Sequence, residues 1–337
     1  MKNLIKNKNI LITGGTGSFG KAFSKLILSK YYPKKLIVFS RDELKQSEMA
    51  ESNFFKNKKN LRFFIGDVRD LQRLKIALRE VDYVIHAAAL KQVPSAEYNP
   101  IECIKTNIIG AENIINASLE TGVKKIIALS TDKAVNPINL YGATKLSSDK
   151  LFQAANNLAG NLDCQFSVVR YGNVIGSRGS VLPLFLKLLQ NKKKLPITHK
   201  DMTRFWIRLE DGVNFVINTL NLMEGGEIFV PKMPTIKIID LANSLSKNVK
   251  IKFTGIRPGE KLHEVLVPAD LSSQTVEYKT YFKILPSFFF QNIEKIRYIK
   301  KKFNFVKEGF EYNSKNNSHY LNINDIKKLN KHYIDSI

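Results

Sequence analysis

Six short apolar runs dominate the first half of the chain: residues 9–13 (NILIT), 35–39 (KLIVF), 62–66 (RFFIG), 82–88 (DYVIHAA), 124–130 (KKIIALS) and 166–172 (FSVVRYG). They lack the strict polar alternation of a half-exposed strand. Runs of this kind fit strands buried on both faces, as in a parallel sheet covered by helices. Between them lie segments with apolar residues near 3.6 spacing, such as 101–122, which stops at Gly122. Parallel neighbours need crossover connections, so this alternation predicts an α/β fold built on a doubly wound, mostly parallel Rossmann-type sheet.

The first run passes directly into 13-TGGTGSFG-20 and then into a helix-like segment. Gly14 permits the tight turn, Gly17 lets backbone approach a pyrophosphate, and Gly20 lets helix pack closely on strand. The helix N-terminus offers free N–H groups and a positive dipole end to phosphates. Thr16, Ser18 and Phe19 complete the loop. At the end of the second run, Ser40, Arg41 and Lys45 occupy the region that meets the adenosine ribose. A hydroxyl and two cations suit a 2′-phosphate and favour NADP, whereas Asp42 would suit the free ribose of NAD. Asp67 and Val68, after the third run, are expected at the adenine. Ala87, Lys91, Thr106 and Val174 are expected farther along the dinucleotide.

The net charge of +23 raises the question of nucleic acid. The lysines are scattered, accompanied by abundant Asn and Ile, and lack the aromatic–basic interleaving of single-strand binders. An anionic, phosphate-bearing small substrate suits this charge better, and neither a nucleic-acid partner nor a membrane is expected. No apolar run approaches the roughly 20 residues needed to span a bilayer, and the N-terminus has no signal-peptide pattern. Cys103 and Cys164 form no C-x-x-C, which predicts buried thiols in a reducing, cytoplasmic compartment. The five histidines lack ligand spacing, so no metal is expected. His86 reads as a core residue and His263 as a structural hydrogen-bonder.

The predicted organisation is a dinucleotide-binding domain over 1–175, a smaller mixed α/β substrate lobe over 176–283 that partly returns to the sheet, and a docked C-terminal extension over 284–337. Within the lobe, 192–206 reads as a loop, followed by a helix and a strand at 226–231.

The segment 131-TDKAVNPINLYGATK-145 follows the fifth run, so Thr131, Asp132 and Lys133 should project from the carboxyl edge of the sheet, where open α/β sheets bind ligands. Tyr141 and Lys145, four apart, share a helix face. A phenol beside an ammonium has a depressed pKa and can act as a base toward a hydroxyl. Adjacent residues leaving a strand tend to point apart, which predicts separate tasks for Asp132 and Lys133.

TGGTGSFG, HAAALKQVP and Tyr141-x-x-x-Lys145 resemble the extended short-chain dehydrogenase/reductases. STDKA (130–134), RYGNVIGSRGSV (170–181), MTRFW (202–206) and RPGEKLHE (257–264) resemble the inverting UDP-N-acetylglucosamine 4,6-dehydratases of pseudaminic acid synthesis, which serves flagellin glycosylation. The resemblance implies a tightly held, recycled NADP, UDP-N-acetylglucosamine as substrate and a homo-oligomer, such as a hexamer. It implies that Tyr141 removes the C4 hydroxyl proton during oxidation. A neutral Lys133, its pKa depressed in an enclosed site near cationic Lys145, would then take the C5 proton, and a protonated Asp132 would release the C6 hydroxyl as water. Arg204 and Arg257 would clamp the pyrophosphate and Glu260 would bind the uridine ribose. Lys91, Asn173, Val181 and Thr198 would touch sugar, phosphate or uracil, and Asn107 would share the site floor with Thr106. Competing readings are a dehydratase/5-epimerase of capsule or O-antigen synthesis, a UDP-sugar 4-epimerase and a non-catalytic NADP-sensing protein.

Overall fold

The apolar runs become the central strands of a computed structural model that describes residues 2–246, 248–290 and 303–335. They are β1 (Asn9–Thr13), β2 (Lys35–Ser40), β3 (Leu61–Ile65), β4 (Tyr83–His86), β5 (Lys125–Thr131) and β6 (Gln165–Tyr171). Every residue of β1 and β4 is buried, as strands covered on both faces must be. The later strands are β7 (Asn173–Val174), β8 (Leu195–Ile197), β9 (Thr203–Ile207), β10 (Ile228–Pro231), β11 (Thr235–Lys237) and β12 (Ile251–Phe253). They continue with β13 (Val265–Val267), β14 (Thr275–Glu277), β15 (Tyr281–Ile284) and β16 (Tyr312–Asn313).

The main sheet has nine strands in the order β14-β15-β10-β6-β5-β4-β1-β2-β3. The seven from β10 to β3 are parallel, and β15 and β14 add an antiparallel edge. The doubly wound α/β expectation is borne out. Strand order reverses between β1 and β4, which opens a crevice at their carboxyl ends. β5 and β6 pair without interruption from Lys125↔Gln165 to Thr131↔Tyr171, carrying Thr131 rigidly to that edge.

The helix expected over 101–122 is divided. Helical turns at Pro100–Ile104 and Gly110–Thr121 flank a π-helical turn at Lys105–Ile109. The wider turn presents Thr106 to the crevice and buries Asn107 behind it. Asn107 clamps the loop after β4: its Oδ1 accepts from the Leu90 N–H at 2.8 Å and its Nδ2 donates to the Leu90 carbonyl at 2.9 Å.

Residues 192–206, read as a loop from sequence, hold β8 and β9. β9 joins β11 and β7 in a three-stranded sheet, and β8 pairs with β12. The lysine run 192–194 and the brevity of β8 conceal the period, yet Leu195, Ile197 and Trp206 enter a second core with Leu182, Phe185, Leu241 and Ile326, while Phe205 packs into the main core. The C-terminal residues are tied into this lobe. β16 pairs with β13, Trp206 Nε1 donates to Asn330 Oδ1 at 3.0 Å, and the Tyr312 hydroxyl meets both the N–H and the carbonyl of Met233. Cys103 and Cys164 are free and buried. Among the described residues, no helix is long and apolar enough to cross a membrane and no His/Cys/Asp/Glu group could hold a metal ion.

Candidate active site

One cavity of about 1200 Å³ runs along the carboxyl edge of the sheet from the glycine loop to the smaller lobe. That volume exceeds a typical single small-molecule site of roughly 300–1,000 Å³ and suits two ligands end to end. All the site residues anticipated from sequence line it except Asn107 and Asp132.

In the dinucleotide half, Gly14 takes the left-handed φ of +62° and its missing Cβ leaves room for the backbone of Ala88 at 3.0 Å. A Cβ at Gly20 would lie 2.4 Å from Gly15 Cα, so only glycine lets the helix Ser18–Lys30 begin so close to β1. No side chain caps that helix, leaving its first N–H groups available to a pyrophosphate. The opposite wall is braced by His86. Thr13 Oγ1 accepts from the N–H groups of Ala87 and Ala88, each at 3.1 Å, and directs its hydrogen to His86 Nδ1 at 2.9 Å. Burial and the Lys145 charge lower the His86 pKa to about 3, so this core imidazole is neutral.

At the adenosine end, Asp42 is the N-cap of the helix Glu43–Glu51, accepting from the Lys45 N–H and pairing with its ammonium. Its carboxylate and the Lys45 ammonium are therefore engaged with each other. Arg41 stands 3.6 Å from Asp67. Asp67 is held by Arg69 at 2.8 Å as well, and it lines the cavity with Val68.

In the catalytic half, Tyr141 and Lys145 lie in the helix Leu140–Ala159, both buried. Asp149, one turn on, raises the Lys145 pKa while burial, the larger effect, lowers it. Asp149 is fixed by Ser130 Oγ at 2.7 Å and by Arg170 at 3.0 Å. The Tyr141 phenol is pushed up to about 12 by burial, with the Lys133 charge opposing. Burial thus opposes the depression expected of a phenol beside an ammonium and a nicotinamide ribose.

The largest revision concerns Asp132 and Lys133. Asp132–Ala134 form a 3₁₀ turn and not an extension of β5, so the two side chains meet instead of diverging. Asp132 is fully buried behind the cavity wall. Its Oδ1 accepts from Lys133 Nζ at 3.0 Å and from Thr131 Oγ1 at 2.9 Å. Lys133 Nζ also lies 3.5 Å from Glu264 Oε1. Burial alone would lower the Lys133 pKa, but the two carboxylates outweigh it and hold the ammonium well above its usual range. The expected depression is overturned because the dominant neighbours are anions and not Lys145.

The sequence profile described as polysaccharide biosynthesis protein matches residues 10–286. The chain belongs to that family. A relative from Campylobacter jejuni (strain 81-176), named UDP-N-acetylglucosamine 4,6-dehydratase (inverting), is 57% identical over 333 residues, covering 98% of this chain and 99% of its own. The resemblance read from STDKA and RPGEKLHE is borne out across the chain. A Rickettsia akari protein named UDP-glucose 4-epimerase is 41% identical over 340 residues, 96% of this chain and 95% of its own. The X-ray structure of Pen from Bacillus thuringiensis superposes with a TM-score of 0.87 at 35% identity, covering 97% of this chain and 99% of that one.

Two features of this polysaccharide biosynthesis family member were not legible in its motifs. Glu264, the last residue of RPGEKLHE, is buried yet lines the cavity, and its Oε2 has no hydrogen-bond partner. Burial raises its pKa against the pull of Lys133. The only sequence signal was an acid closing a recognised motif. Arg204, expected to clamp a pyrophosphate, donates to the carbonyls of Thr203, Leu262 and Lys261 and stands 3.7 Å from both Glu260 and Glu264. It braces the RPGEKLHE loop, and Arg257 is the more exposed cation on the same wall. Lys91, at the cavity mouth, has its pKa lowered by burial and by the Lys133 charge. His263 Nδ1 contacts Thr203 Oγ1 at 2.8 Å, a structural bond as anticipated.

Proposed function

We propose that this family member is an NADP-dependent UDP-N-acetylglucosamine 4,6-dehydratase that inverts C5, yielding UDP-2-acetamido-2,6-dideoxy-β-L-arabino-hex-4-ulose as the opening step of pseudaminic acid synthesis. The observation that carries it is a second proton-handling group beyond the Tyr141–Lys145 pair. Lys133 faces the same cavity, with 27% of its side chain accessible and carboxylates at 3.0 and 3.5 Å. Oxidation at C4 needs only one base. A lysine set among carboxylates and open to the cavity is the equipment for moving a second proton, that on C5.

The residues fit a dinucleotide at the uncapped helix N-terminus and the Gly14 cradle. When bound there, the cofactor supplies positive charge beside the Tyr141 phenol, a hydride acceptor for C4 and its return to C6. The hydroxyl of Ser40 and the Arg41 guanidinium at the adenosine end support NADP over NAD, with Lys45 adding charge beside them. Tyr141 takes the C4 hydroxyl proton, with Lys145 holding phenol and ribose in line. The C4 ketone acidifies C5, and Lys133 in its amine form removes that proton. A carboxyl of the same cluster protonates the departing C6 oxygen. The motif assigns that task to Asp132, which sits behind Lys133. Asn173, Val181, Thr198 and Arg257 line the sugar–uridine end with Glu260. An assembly of identical copies belongs to the proposal, supported by Tyr98 and Ile101, which are 88% and 58% exposed.

A UDP-sugar 4-epimerase is the rival, favoured by the Rickettsia akari relative's name. Epimerisation at C4 requires Tyr141 but no base at C5. Incubation of the NADP-loaded chain with UDP-N-acetylglucosamine in D2O, followed by NMR, separates them. The 4-keto-6-deoxy L-arabino product with deuterium at C5 is expected. UDP-N-acetylgalactosamine without solvent label would overturn the dehydratase assignment.

A further inference from the structure

We propose that Glu264 is the proton-transfer carboxyl of the elimination, accepting a proton from Lys133 to free its amine and delivering it to the departing C6 oxygen. This rests on the dehydratase reading above. Three observations point to Glu264. It lines the cavity, whereas Asp132 does not. Its Oε1 lies 3.5 Å from Lys133 Nζ, the ammonium that Asp132 Oδ1 meets at 3.0 Å. Its Oε2 is buried with no hydrogen-bond partner; Asp132 Oδ2 is too, but only the Glu264 carboxyl lines the cavity, where a substrate donor can meet an oxygen that is costly to leave orphaned.

The proton count closes on the residues present. In the resting chain Lys133 is an ammonium and Glu264 a carboxylate. One proton passes from Nζ to Oε1, leaving a neutral amine and a neutral carboxyl. The amine removes the C5 proton, the C5–H electron pair becomes the C5–C6 double bond, and the C6–O bond breaks. The Glu264 proton joins the departing oxygen, which leaves as water. Lys133 is again an ammonium and Glu264 again a carboxylate, so the elimination itself draws no proton from solvent; the proton that C5 gains on its opposite face as hydride returns to C6 comes from water. Asp132, sealed in by Thr131 and Lys133, remains a fixed counter-ion. The lobe holds Glu264 for this task. Its N–H donates to Ser314 Oγ at 2.9 Å, its carbonyl accepts from the Ser314 N–H at 2.8 Å, and Arg204 stands 3.7 Å from the carboxylate. The ionisable groups facing the pair are Asp132, Arg204, Lys261, Lys91 and Tyr141.

The test compares wild type, Glu264→Gln and Glu264→Asp, each loaded with NADP, for cofactor reduction on mixing with UDP-N-acetylglucosamine and for C5 deuterium uptake and water loss in D2O. The transfer role predicts that Glu264→Gln still reduces its cofactor but loses C5 exchange and dehydration by about 10²–10⁴-fold across the pH range. Glu264→Asp, which keeps the carboxyl, should restore part of both. A purely electrostatic role predicts the opposite sign. Removing one anion would make Lys133 easier to deprotonate, moving the exchange profile to lower pH with its plateau intact, and that result overturns the proposal. Loss of cofactor reduction in both variants would mark Glu264 as structural and overturn it equally. Wild type that forms UDP-N-acetylgalactosamine without losing water would refute the dehydratase reading itself, independently of either variant.

Discussion

Gly142, between the two halves of the catalytic segment, offers the sharpest test of the site's construction. A Cβ added there would lie 2.2 Å from the Lys133 carbonyl oxygen and 3.1 Å from both Lys133 C and Pro137 Cβ. The obstructing atom is backbone, so no side-chain rotation relieves the clash. Restoring ordinary contact requires the Asp132–Ala134 turn to move by roughly 1 Å relative to the helix that carries Tyr141. Overpacking of this kind costs about 1–3 kcal/mol, offset by up to about 1 kcal/mol from replacing glycine inside a helix. Stability should therefore fall by about 0–3 kcal/mol in Gly142→Ala. Activity should suffer more, because a misplacement of about 1 Å between two groups that act on one sugar ring can reduce turnover on the order of 100-fold. Thermal melting and turnover of UDP-N-acetylglucosamine, measured together, check the pair of numbers. A Gly142→Ala protein with wild-type turnover would refute the claim that the turn and the helix must touch.

Two further outcomes follow from the dinucleotide half. Arg41→Ala should weaken NADP binding by about 10- to 100-fold, the worth of one charge-assisted contact to a phosphate, while leaving NAD affinity nearly unchanged; titration of both cofactors decides it. His86, neutral in the core with a pKa of about 3 against an ordinary 6.5, binds its proton more readily when unfolded, so stability should decline by up to about 1.4 kcal/mol per pH unit as pH falls through that window. Denaturant titrations at several pH values read this slope, and His86→Phe should flatten it; an identical slope in the variant would refute the assignment.

The sheet, the glycine loop and the Tyr141–Lys145 face were legible because each depends on local pattern. Buried parallel strands demand unbroken apolar runs, a backbone–phosphate approach demands glycine, and a four-residue spacing puts two side chains on one helix face. β8 and β9 were missed because strands of three and five residues beside a lysine run carry too little period to register. The π turn at Lys105–Ile109 left no mark because it differs from a regular helix only in which carbonyl each N–H reaches.

What the chain's order alone determined was which groups are on offer: a glycine loop between strand and helix, a phenol and an ammonium four residues apart, and the family to which the chain belongs. The tertiary structure alone decided their charge. Asp132 and Lys133 are neighbours in any conformation, but a 3₁₀ turn makes them an ion pair, and folding brings Glu264 from 131 residues away to share the same ammonium. Protonation depends on burial and on the sign of charges within a few ångströms, and those distances exist only once the lobe has closed on the sheet.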